Sequence, residues 1–499
     1  MGTALDHDHD HDHDHDYDAV IIGFGPVGST LAALLALRGV RVHAIDRDTD
    51  IYPLPRAVHF DQEIMRVFQE IGIADVLSAD TILNPGMDFL TADRQVLLAM
   101  RPDGTTPSGW PASIFFHQPD LEVRLRDRAL ELGTTTTLGV AATHVVDHGD
   151  HVQVALADGT SLTASFVIGC DGARSTVRKQ LGIEMHDLQF EEPWLVVDLV
   201  LRPGAEPPAD LALQVCDPAR PTTLVPMPPP RFRFEFMLLE GDDPEAIQHP
   251  ERVAELLSGW MNPTDATVER AAVYTFHGLI AQEWRHGRVL LAGDAAHQTP
   301  PFLGQGMCAG VRDAANLAWK LHRVLLGTSP EALLDTYQHE RVPHVEDLVG
   351  AAVGFGRLIC TTDTAVAAQR DADMLAARSA GGGHVGTIAA APLTAGPLVA
   401  PGSGQQSQQP TIDGRRLDDL VGNRFAVVAR TADLLVGDGA EWWRERGAVA
   451  FDASTAPTLV AVLDALDADV AVVRPDRYVL QAGGHLPIPD AATRELIPR

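Results

Sequence analysis

A glycine-rich turn at residues 23–28, with the sequence Gly-Phe-Gly-Pro-Val-Gly, constrains the fold of this chain more than any other feature. It follows an apolar run at residues 18–22 that is typical of a buried strand. It precedes residues 29–38, which have the pattern of a helix stopped by Gly39. Residues 40–45 predict a second strand. Two strands joined by a helix form a β-α-β unit, so the sequence predicts a parallel sheet.

The same turn is suited to binding a dinucleotide. Gly23, Gly25 and Gly28 let the backbone approach a pyrophosphate, and the N-terminus of the following helix favours its negative charge. Asp46 ends the second predicted strand, where its carboxylate is placed to accept hydrogen bonds from an adenosine ribose. A tight glycine turn in some other α/β fold is the alternative.

Charge and composition narrow the partners of the chain. Its 499 residues include 38 basic and 68 acidic side chains, a formal net charge of −30. Such a surface repels phosphate backbones, so nucleic acid and anionic membranes are poor partners. Residues 19–37 are uncharged, but their glycines, proline and hydroxyl groups fit a buried strand-turn-helix better than a membrane span. The four cysteines form no CxxC pair, which favours reduced thiols and a cytoplasmic location.

Histidine and aspartate alternate over residues 6–16. Side chains of these two types at this spacing bind Zn, Ni or Cu adventitiously. The composition predicts a disordered tail, residues 1–16, without a part in the chemistry. A metal-binding protein that acts through this tail is the alternative of another functional class. Elsewhere the sequence shows no ordered metal-ligand spacing.

Two further motifs follow strands predicted later in the chain. Residues 169–175 read Gly-Cys-Asp-Gly-Ala-Arg-Ser, and residues 293–297 read Gly-Asp-Ala-Ala-His. An aspartate at the end of a strand suits a ribityl hydroxyl, and a following helix N-terminus favours the negative charge that a flavin pyrimidine gains on reduction. Each Asp-Gly or Gly-Asp pair alone is usually a turn. The order and spacing of all three motifs are not generic.

With these motifs the sequence resembles the FAD-dependent aromatic hydroxylases, the single-component (group A) flavoprotein monooxygenases, over residues 17 to about 345. Arg56 and Gln118 also match positions of that family that contact FAD. The resemblance implies that FAD is bound by Gly23, Gly25, Pro26, Val27, Gly28, Asp46, Arg47, Arg56, Gln118, Asp171, Gly172, Arg233, Gly293, Asp294, Pro301, Gly304, Gln305 and Gly306.

Four other segments are similar to the subgroup of 3-(3-hydroxyphenyl)propionate hydroxylases: residues 194–198, 216–221, 233–237 and 472–477. The end of the chain resembles the thioredoxin-like C-terminal domain of this subgroup and of phenol and polyketide hydroxylases. Without a CxxC pair it cannot carry out dithiol chemistry, which leaves it a packing role or a role in a homodimer.

Pattern and resemblance together predict an α/β fold. They imply an FAD-binding Rossmann-like domain of the p-hydroxybenzoate hydroxylase type, an inserted antiparallel-sheet substrate domain and a thioredoxin-like C-terminal domain. The expected segments are 17–190 and 276–378 for the two parts of the FAD-binding domain, the second with long helices, 191–275 for the sheet domain, 379–411 for a linker and 412–499 for the last domain.

The resemblance implies a monooxygenase that uses FAD, O2 and NADH or NADPH to hydroxylate a phenolic ring through a flavin C4a-hydroperoxide. The nicotinamide is expected to bind transiently, because no second nucleotide motif is visible. The expected substrate is a small aryl carboxylate such as 3-(3-hydroxyphenyl)propionate. A tailoring hydroxylase of a polycyclic polyketide or antibiotic is the alternative, and a larger pocket would distinguish it.

Residues 231–236 alternate polar and phenylalanine side chains with the period of a strand. The resemblance implies that Arg233 and Glu235 face the flavin ring, whereas a strand with a solvent-facing polar side is the alternative. Pro301 is expected to wall the pocket for the aromatic ring. His59 is a candidate base for the phenolic proton, against the simpler interpretation of a histidine at a helix start; Tyr274 and His277 stay equally open.

Overall fold

The computed structural model of the protein describes residues 15–102, 104, 106–386 and 391–498. Within them, the strand Tyr17–Ile22 lies at the centre of a first sheet, parallel to Val42–Asp46 on one side and to Ser161–Gly169 on the other. Val289–Leu291 extends the parallel part. All three sequence motifs therefore follow strands whose carboxyl ends meet at one edge. The other strands of this sheet are Thr135–Leu138, Ala142–Asp147, Val152–Leu156 and Arg285–His286.

The helix after the glycine turn spans Pro26–Ala36, three residues earlier than its predicted start. It begins there because proline is well tolerated at a first helical position, where its missing N–H would have no partner. Its alanine- and leucine-rich sequence is buried, and it packs between the helices Gln118–Glu131 and Gly306–Leu325. The remaining helices are Gln62–Glu70, Ala74–Ala79, Thr176–Gln180, Pro250–Ser258, Asp335–Ile359, Thr364–Ser379, Leu417–Val421, Asp438–Glu445, Val460–Asp464 and Ala491–Leu496.

A second, larger sheet is built on two long antiparallel strands, Met185–Leu201 and Ala266–Ala281, with Arg231–Met237 beside the first of them. One face of this sheet packs with the helix Pro250–Ser258 in an apolar core that includes Phe232, Phe234 and Phe236. The other face looks towards the first sheet. The other strands are Met87–Leu90, Val96–Met100, Ala212–Val215, Thr222–Pro226, His297–Gln298 and His384–Val385.

This sheet includes residues outside the expected segment 191–275. Residues 87–100 contribute two strands, and His384–Val385, from the expected linker, pairs in parallel with Val96–Met100. Backbone pairing at a sheet edge places little demand on side-chain pattern, so such strands carry a weak sequence signal. Small sheets are formed by His59–Asp61, Ile82–Leu83 and Ser113–Phe115, and by Thr411–Ile412 and Arg415–Arg416.

The last part of the described chain contains a separate sheet with the spatial order Val449–Asp452, Ala426–Ala429, Val470–Val473, Val479–Gly483. The first pair is parallel and the other two pairs are antiparallel. This sheet packs on the FAD-binding segment predicted above: Trp319 and Phe425 share one apolar cluster. The thioredoxin-like assignment of residues 412–499 stays a prediction.

The histidine–aspartate tail predicted over 1–16 lies, for residues 1–14, outside the described residues. Asp16 is described, and its carboxylate accepts hydrogen bonds from the backbone N–H and the hydroxyl of Thr163. In the described ranges, no helix combines the length and apolarity needed to cross a membrane. The same residues contain no group of three or more histidine, cysteine or acidic side chains arranged to hold a metal ion.

Candidate active site

A cleft of about 750 Å³ opens between the carboxyl edge of the first sheet and the free face of the second. Its lining includes residues from all three sequence motifs. It also includes Arg56, Gln118, Arg233 and Glu235, which the family resemblance implied at the site.

The glycine turn has the geometry of a phosphate cradle. A Cβ on Gly28 would lie 1.9 Å from the carbonyl oxygen of Gly23, so only glycine fits there, whereas the space in front of Gly25 is open. The helix that starts at Pro26 has no acidic residue in its first turn and no side-chain cap in the described chain, so its first N–H groups are available to an anion. Asp46 accepts a 2.8 Å hydrogen bond from the N–H of Phe24.

The Asp294 motif presents an unpartnered carboxylate to the cleft. Within the described chain no group forms a hydrogen bond with the Asp294 side chain, which lines the cleft and is exposed. Desolvation by the surrounding protein raises the pKa of Asp294, while His297 and Arg56 act in the opposite direction. The residue follows Gly293, where the chain turns with φ at +62°. An unpartnered carboxylate in the cleft suits a ligand that supplies hydroxyl donors, as a ribityl chain does.

Asp313 holds that loop in place. Its carboxylate accepts hydrogen bonds from the N–H of Gly293 at 3.0 Å, from Nε2 of His297 at 2.7 Å and from Nε of Arg341 at 2.9 Å. Both Asp313 and His297 are fully buried. His297 therefore belongs to the support of the loop and does not reach the cleft.

The Asp171 motif is tied to the Asp294 motif. One carboxylate oxygen of Asp171 accepts from the N–H of Thr176 at 2.6 Å, and its other oxygen is buried at the cleft without a partner in the described chain. Arg178 donates to the carbonyl oxygens of Ala173 and Ala295, at 3.0 and 2.8 Å. These orphaned carboxylate oxygens and the open cradle fit FAD, which would be held by the glycine turn, Asp46, Asp171 and Asp294.

Gln118 positions the loop that carries Arg56. Its side-chain oxygen accepts from the N–H groups of Arg56 and Ala57, at 2.9 and 2.6 Å. The guanidinium of Arg56 lies 5.1 Å from the ring centroid of Tyr52. Arg47 also lines the cleft, but its side chain is mostly exposed and 3.6 Å from Asp48.

Arg233 and Glu235 are buried and face the cleft, and the strand has no solvent-facing side. Nε of Arg233 donates to Asp198 at 2.7 Å, and its other nitrogens donate to the carbonyl oxygens of Pro55 and Arg56. Arg233 thus clamps the Arg56 loop. Oε1 of Glu235 lies 3.8 Å from Nη1 of Arg233, and the Glu235 carboxyl group has no hydrogen bond in the described chain. Burial raises the pKa of Glu235, partly offset by the Arg233 charge.

Polar side chains continue across the same sheet face. The hydroxyl of Thr223 donates to the side-chain oxygen of Gln214 at 2.6 Å, and Thr223 pairs directly with Glu235 on the next strand. All three line the cleft. Gln214 and Thr223 were not predicted; a lone glutamine inside the apolar strand Ala212–Val215 was the available signal.

His59 lies in the short strand His59–Asp61 and not at a helix start. Its ring reaches the cleft, where it contacts Ser113, a residue that carried no sequence signal. Pro301 lies in the cleft wall as well. Tyr274 and His277 do not line the cleft; the Tyr274 hydroxyl is 3.2 Å from Arg270.

Comparisons with known proteins agree with this geometry. The FAD binding domain family matches residues 16–352. A probable NADH-specific resorcinol 4-hydroxylase of Rhodococcus jostii is 44% identical over 72% of this chain and 69% of the relative. A 3-(3-hydroxy-phenyl)propionate/3-hydroxycinnamic acid hydroxylase of Burkholderia cenocepacia is 36% identical over 86% and 82%. The crystal structure of aklavinone-11 hydroxylase with FAD and aklavinone superposes with a TM-score of 0.80, at 25% identity, over 97% of this chain and all of that one.

Proposed function

The chain belongs to the FAD binding domain family as an FAD-dependent aromatic hydroxylase, and from this premise we propose that its substrate is a small, uncharged phenol with a second ring hydroxyl. Resorcinol is the simplest member of this class. We also propose NADH as the reductant, because the Rhodococcus relative is named as NADH-specific. The single observation that carries the substrate proposal is the charge of the cleft on its sheet side.

Within the described residues, the cationic side chains that line the cleft are either paired with carboxylates or lie near the residues predicted to bind FAD. Arg233 is paired with Asp198, and Arg312 is paired with Asp61 and Glu63. Arg126 donates to the carbonyl oxygen of Phe24 in the glycine turn, and Arg174 belongs to the Asp171 motif. Arg47 is mostly exposed, and the charge of Arg56 acts on Asp294. The lining beyond them carries the carboxyl groups of Glu235 and Asp347. A substrate carboxylate would meet negative charge there without a counter-ion, which is costly in a buried site.

Hydroxyl groups, in contrast, find partners on this side of the cleft. Ser113 and Asn84 form one polar group, and Gln214, Thr223 and Glu235 form a second. Apolar side chains occupy the surrounding wall; they are Met87, Phe115, Val225, Phe276, Leu303 and Leu348. Such a lining, apolar with a few placed polar groups, is typical of a site that orients a small ring and excludes water.

Bound FAD, once reduced by NADH, supplies the activated oxygen that the ring accepts. The chain's own residues position that chemistry. Asp171 and Asp294 would hold the cofactor, Arg233 holds the Arg56 loop, and Pro301 would form part of the wall beside the substrate ring.

The test compares kcat/KM for resorcinol and for 3-(3-hydroxyphenyl)propionate with purified, FAD-loaded protein and NADH. We expect resorcinol to be favoured by about a hundredfold, the effect of roughly 3 kcal/mol in the transition state. The Glu235→Gln variant should lessen this discrimination, because it removes the buried negative charge. Equal values, or a preference for the propionate, would contradict the proposal.

The arylpropionate expected from the sequence is the second candidate. Relatives with that named activity align with 86% of this chain, including part of its C-terminal sheet. A polycyclic substrate has the support of the aklavinone-11 hydroxylase structure. A cleft of about 750 Å³ that also holds FAD favours a single ring, so a polycyclic phenol belongs in the same assay as a third substrate.

We propose a cytoplasmic location from the reduced cysteines, and a packing role for residues 412–499. Arg474 of this segment donates to both carboxylate oxygens of Glu340 at 2.8 Å, so the segment contacts the FAD-binding part of its own chain. A homodimer stays a proposal, and sedimentation of the holoprotein tests it.

A further inference from the structure

Three polar side chains in the cleft wall form a hydrogen-bonded chain. Nε2 of His59 lies 2.7 Å from Oγ of Ser113, and the same Oγ lies 2.8 Å from Nδ2 of Asn84. His59 and Ser113 are on paired antiparallel strands, and all three residues line the cleft. This chain of bonds joins residues that are remote in sequence within one part of the cleft wall.

Backbone groups at both ends fix the direction of these hydrogen bonds. Nδ1 of His59 lies 3.2 Å from the carbonyl oxygen of Gly304, which only accepts, so Nδ1 carries the hydrogen and Nε2 is the acceptor. The N–H of Gly86 donates to Oδ1 of Asn84 at 2.9 Å, which turns the Asn84 amide nitrogen towards Ser113. Oγ of Ser113 therefore accepts from Asn84, donates to His59 and keeps one lone pair for a ligand in the cleft.

We propose that Ser113 and His59 together take the proton from the phenolic hydroxyl of the substrate, with Asn84 orienting Ser113. The phenolic O–H bond breaks and its proton forms a new O–H bond on Ser113. The original Ser113 proton moves to Nε2 of His59. The products are a phenolate and an imidazolium, so atoms and charge balance without another reactant. Ser113 is the catalytic residue because it touches the substrate, and His59 acts through it. This inference rests on the proposed function, since it requires a phenol.

The surroundings of His59 support both protonation states that the step requires. Burial lowers the pKa of the His59 ring, so the neutral acceptor form is available at neutral pH. Asp61, on the same strand, stabilises the imidazolium, while Arg312, from the helix Gly306–Leu325, opposes it and is itself paired with Asp61. From that helix the Cys308 thiol also approaches, 3.8 Å from the His59 carbonyl oxygen. The loop around Gly304 contributes the Gly304 carbonyl oxygen, and the strand Ser113–Phe115 contributes the Ser113 hydroxyl and the edge of the Phe115 ring.

The first measurement does not depend on turnover. FAD-loaded, oxidised protein is titrated with 4-nitrophenol without NADH, and the absorbance of bound nitrophenolate is followed against pH. In the wild type we expect the phenolate to persist to a lower pH than in the Ser113→Ala and His59→Asn variants, by about one pH unit, the effect of one charge-assisted hydrogen bond.

The second measurement is steady-state hydroxylation. Both variants should lose kcat by a factor of about 10² or more, the usual contribution of a positioned proton acceptor. The loss should shrink with a fluorinated, more acidic phenol and at higher pH, because the substrate then ionises without help. A merely structural role would not give this dependence on the acidity of the substrate.

His43→Asn is the matched control. His43 is also a buried histidine whose ring nitrogens lie 2.8 and 2.9 Å from the hydroxyls of Thr135 and Thr137, but it does not line the cleft. This variant should leave the ionisation of bound nitrophenol unchanged. If His59→Asn fails to fold or to bind FAD, Ser113→Ala, which removes one oxygen from a half-buried position, decides the matter.

Wild-type nitrophenol ionisation together with wild-type kcat in Ser113→Ala would overturn the inference. If the wild type ionises bound nitrophenol as expected but does not hydroxylate resorcinol, the substrate proposal fails and the proton path stands. The reverse result, resorcinol turnover with no effect of either variant on ionisation, removes the proton path alone.

Discussion

Asp294 and Cys170 both line the cleft but differ in what they offer a cofactor. The Asp294 carboxylate has no partner in the described chain, whereas Cys170 packs its side chain against the glycine turn. We expect Asp294→Ala to lose about 1.5–3 kcal/mol of FAD binding, the value of a hydrogen bond to a charged group. Cys170→Ala, which keeps the Cβ contact, should lose far less. Fluorescence titration of the apoprotein with FAD measures both, and equal affinities would refute the role of Asp294.

Arg233 combines a role at the site with a role in stability. Arg233→Ala should impair hydroxylation, because Arg233 holds the Arg56 loop at the cleft. Its buried pair with Asp198 adds a loss of about 3–5 kcal/mol in the free energy of unfolding, because the variant leaves a buried charge with one partner fewer. We expect a lower melting temperature together with less product per NADH consumed. An unchanged melting temperature, together with wild-type product per NADH consumed, would show that the contact of Arg233 with the Arg56 loop is not required.

The buried carboxyl of Glu235 predicts a pH-dependent stability. Its pKa in the folded protein is raised by burial, so over the range between the unfolded and the folded pKa the folded state binds more protons. Stability therefore falls as the pH rises through this range, and above it the full penalty of the buried charge remains. Glu235→Gln should be more stable than the wild type at neutral pH and equal to it at acidic pH. Melting temperatures at both pH values test this, and a difference independent of pH would contradict it.

At the scale of elements, the helix Asp335–Ile359 connects the cofactor loop to the C-terminal segment. Glu340 contacts Lys320 and Arg474, and the next residue, Arg341, donates to Asp313, which holds the Asp294 loop. Two neighbouring residues of this helix therefore have different roles: Glu340 binds the C-terminal segment, and Arg341 supports the loop that carries Asp294. Burial lowers the pKa of Lys320 to about 8, while the nearby Glu340 charge acts in the opposite direction.

Arg474→Gln should therefore weaken the docking of residues 412–499. We expect a loss of about 3–5 kcal/mol in stability, because the variant leaves Glu340 and Asp476 with less compensation in a buried site. The control is Arg430→Gln in the same segment, whose pairs with Asp464 and Asp469 are exposed to solvent and should contribute far less to stability. Limited proteolysis and thermal unfolding distinguish the two variants. Equal effects would mean that the buried network does not hold the segment.

At the scale of the whole molecule, the proposed FAD site is formed by motifs from three distant parts of the chain. The glycine turn, the Asp171 motif and the Asp294 motif meet only because their strands are adjacent and parallel in one sheet. A ligand bound there stabilises the native state through all three.

FAD should accordingly raise the melting temperature of the apoprotein, and FMN should not. The glycine turn and Asp46 suit the ADP half that FMN lacks. At a hundredfold excess over Kd the stabilisation amounts to about 2.7 kcal/mol. Thermal unfolding with each flavin measures it, alongside release of the native flavin by denaturation. Equal stabilisation by FMN, or a colourless native protein, would contradict the assignment.

Local sequence pattern was enough to predict the β-α-β unit, the order of the three motifs and the alternation of residues 231–236. These depend on local properties: the conformational freedom of glycine, the period of strands and helices, and the burial of apolar runs. Gly28, for example, is required by an approach to Gly23 only five residues away. The family resemblance added the cofactor and the reaction class.

The tertiary structure decided which polar groups meet in the cleft. Ser113 lies 54 residues from His59, and Arg233 lies more than 170 residues from the loop it clamps. A hydrogen bond forms only when donor and acceptor lie within a few tenths of an ångström of their best separation. Such positions are set only when strands pair and sheets pack against each other. Local sequence pattern carries no information on that scale. The sequence identified His59 as a candidate base, whereas its hydrogen-bond partner Ser113 emerged only from the folded chain.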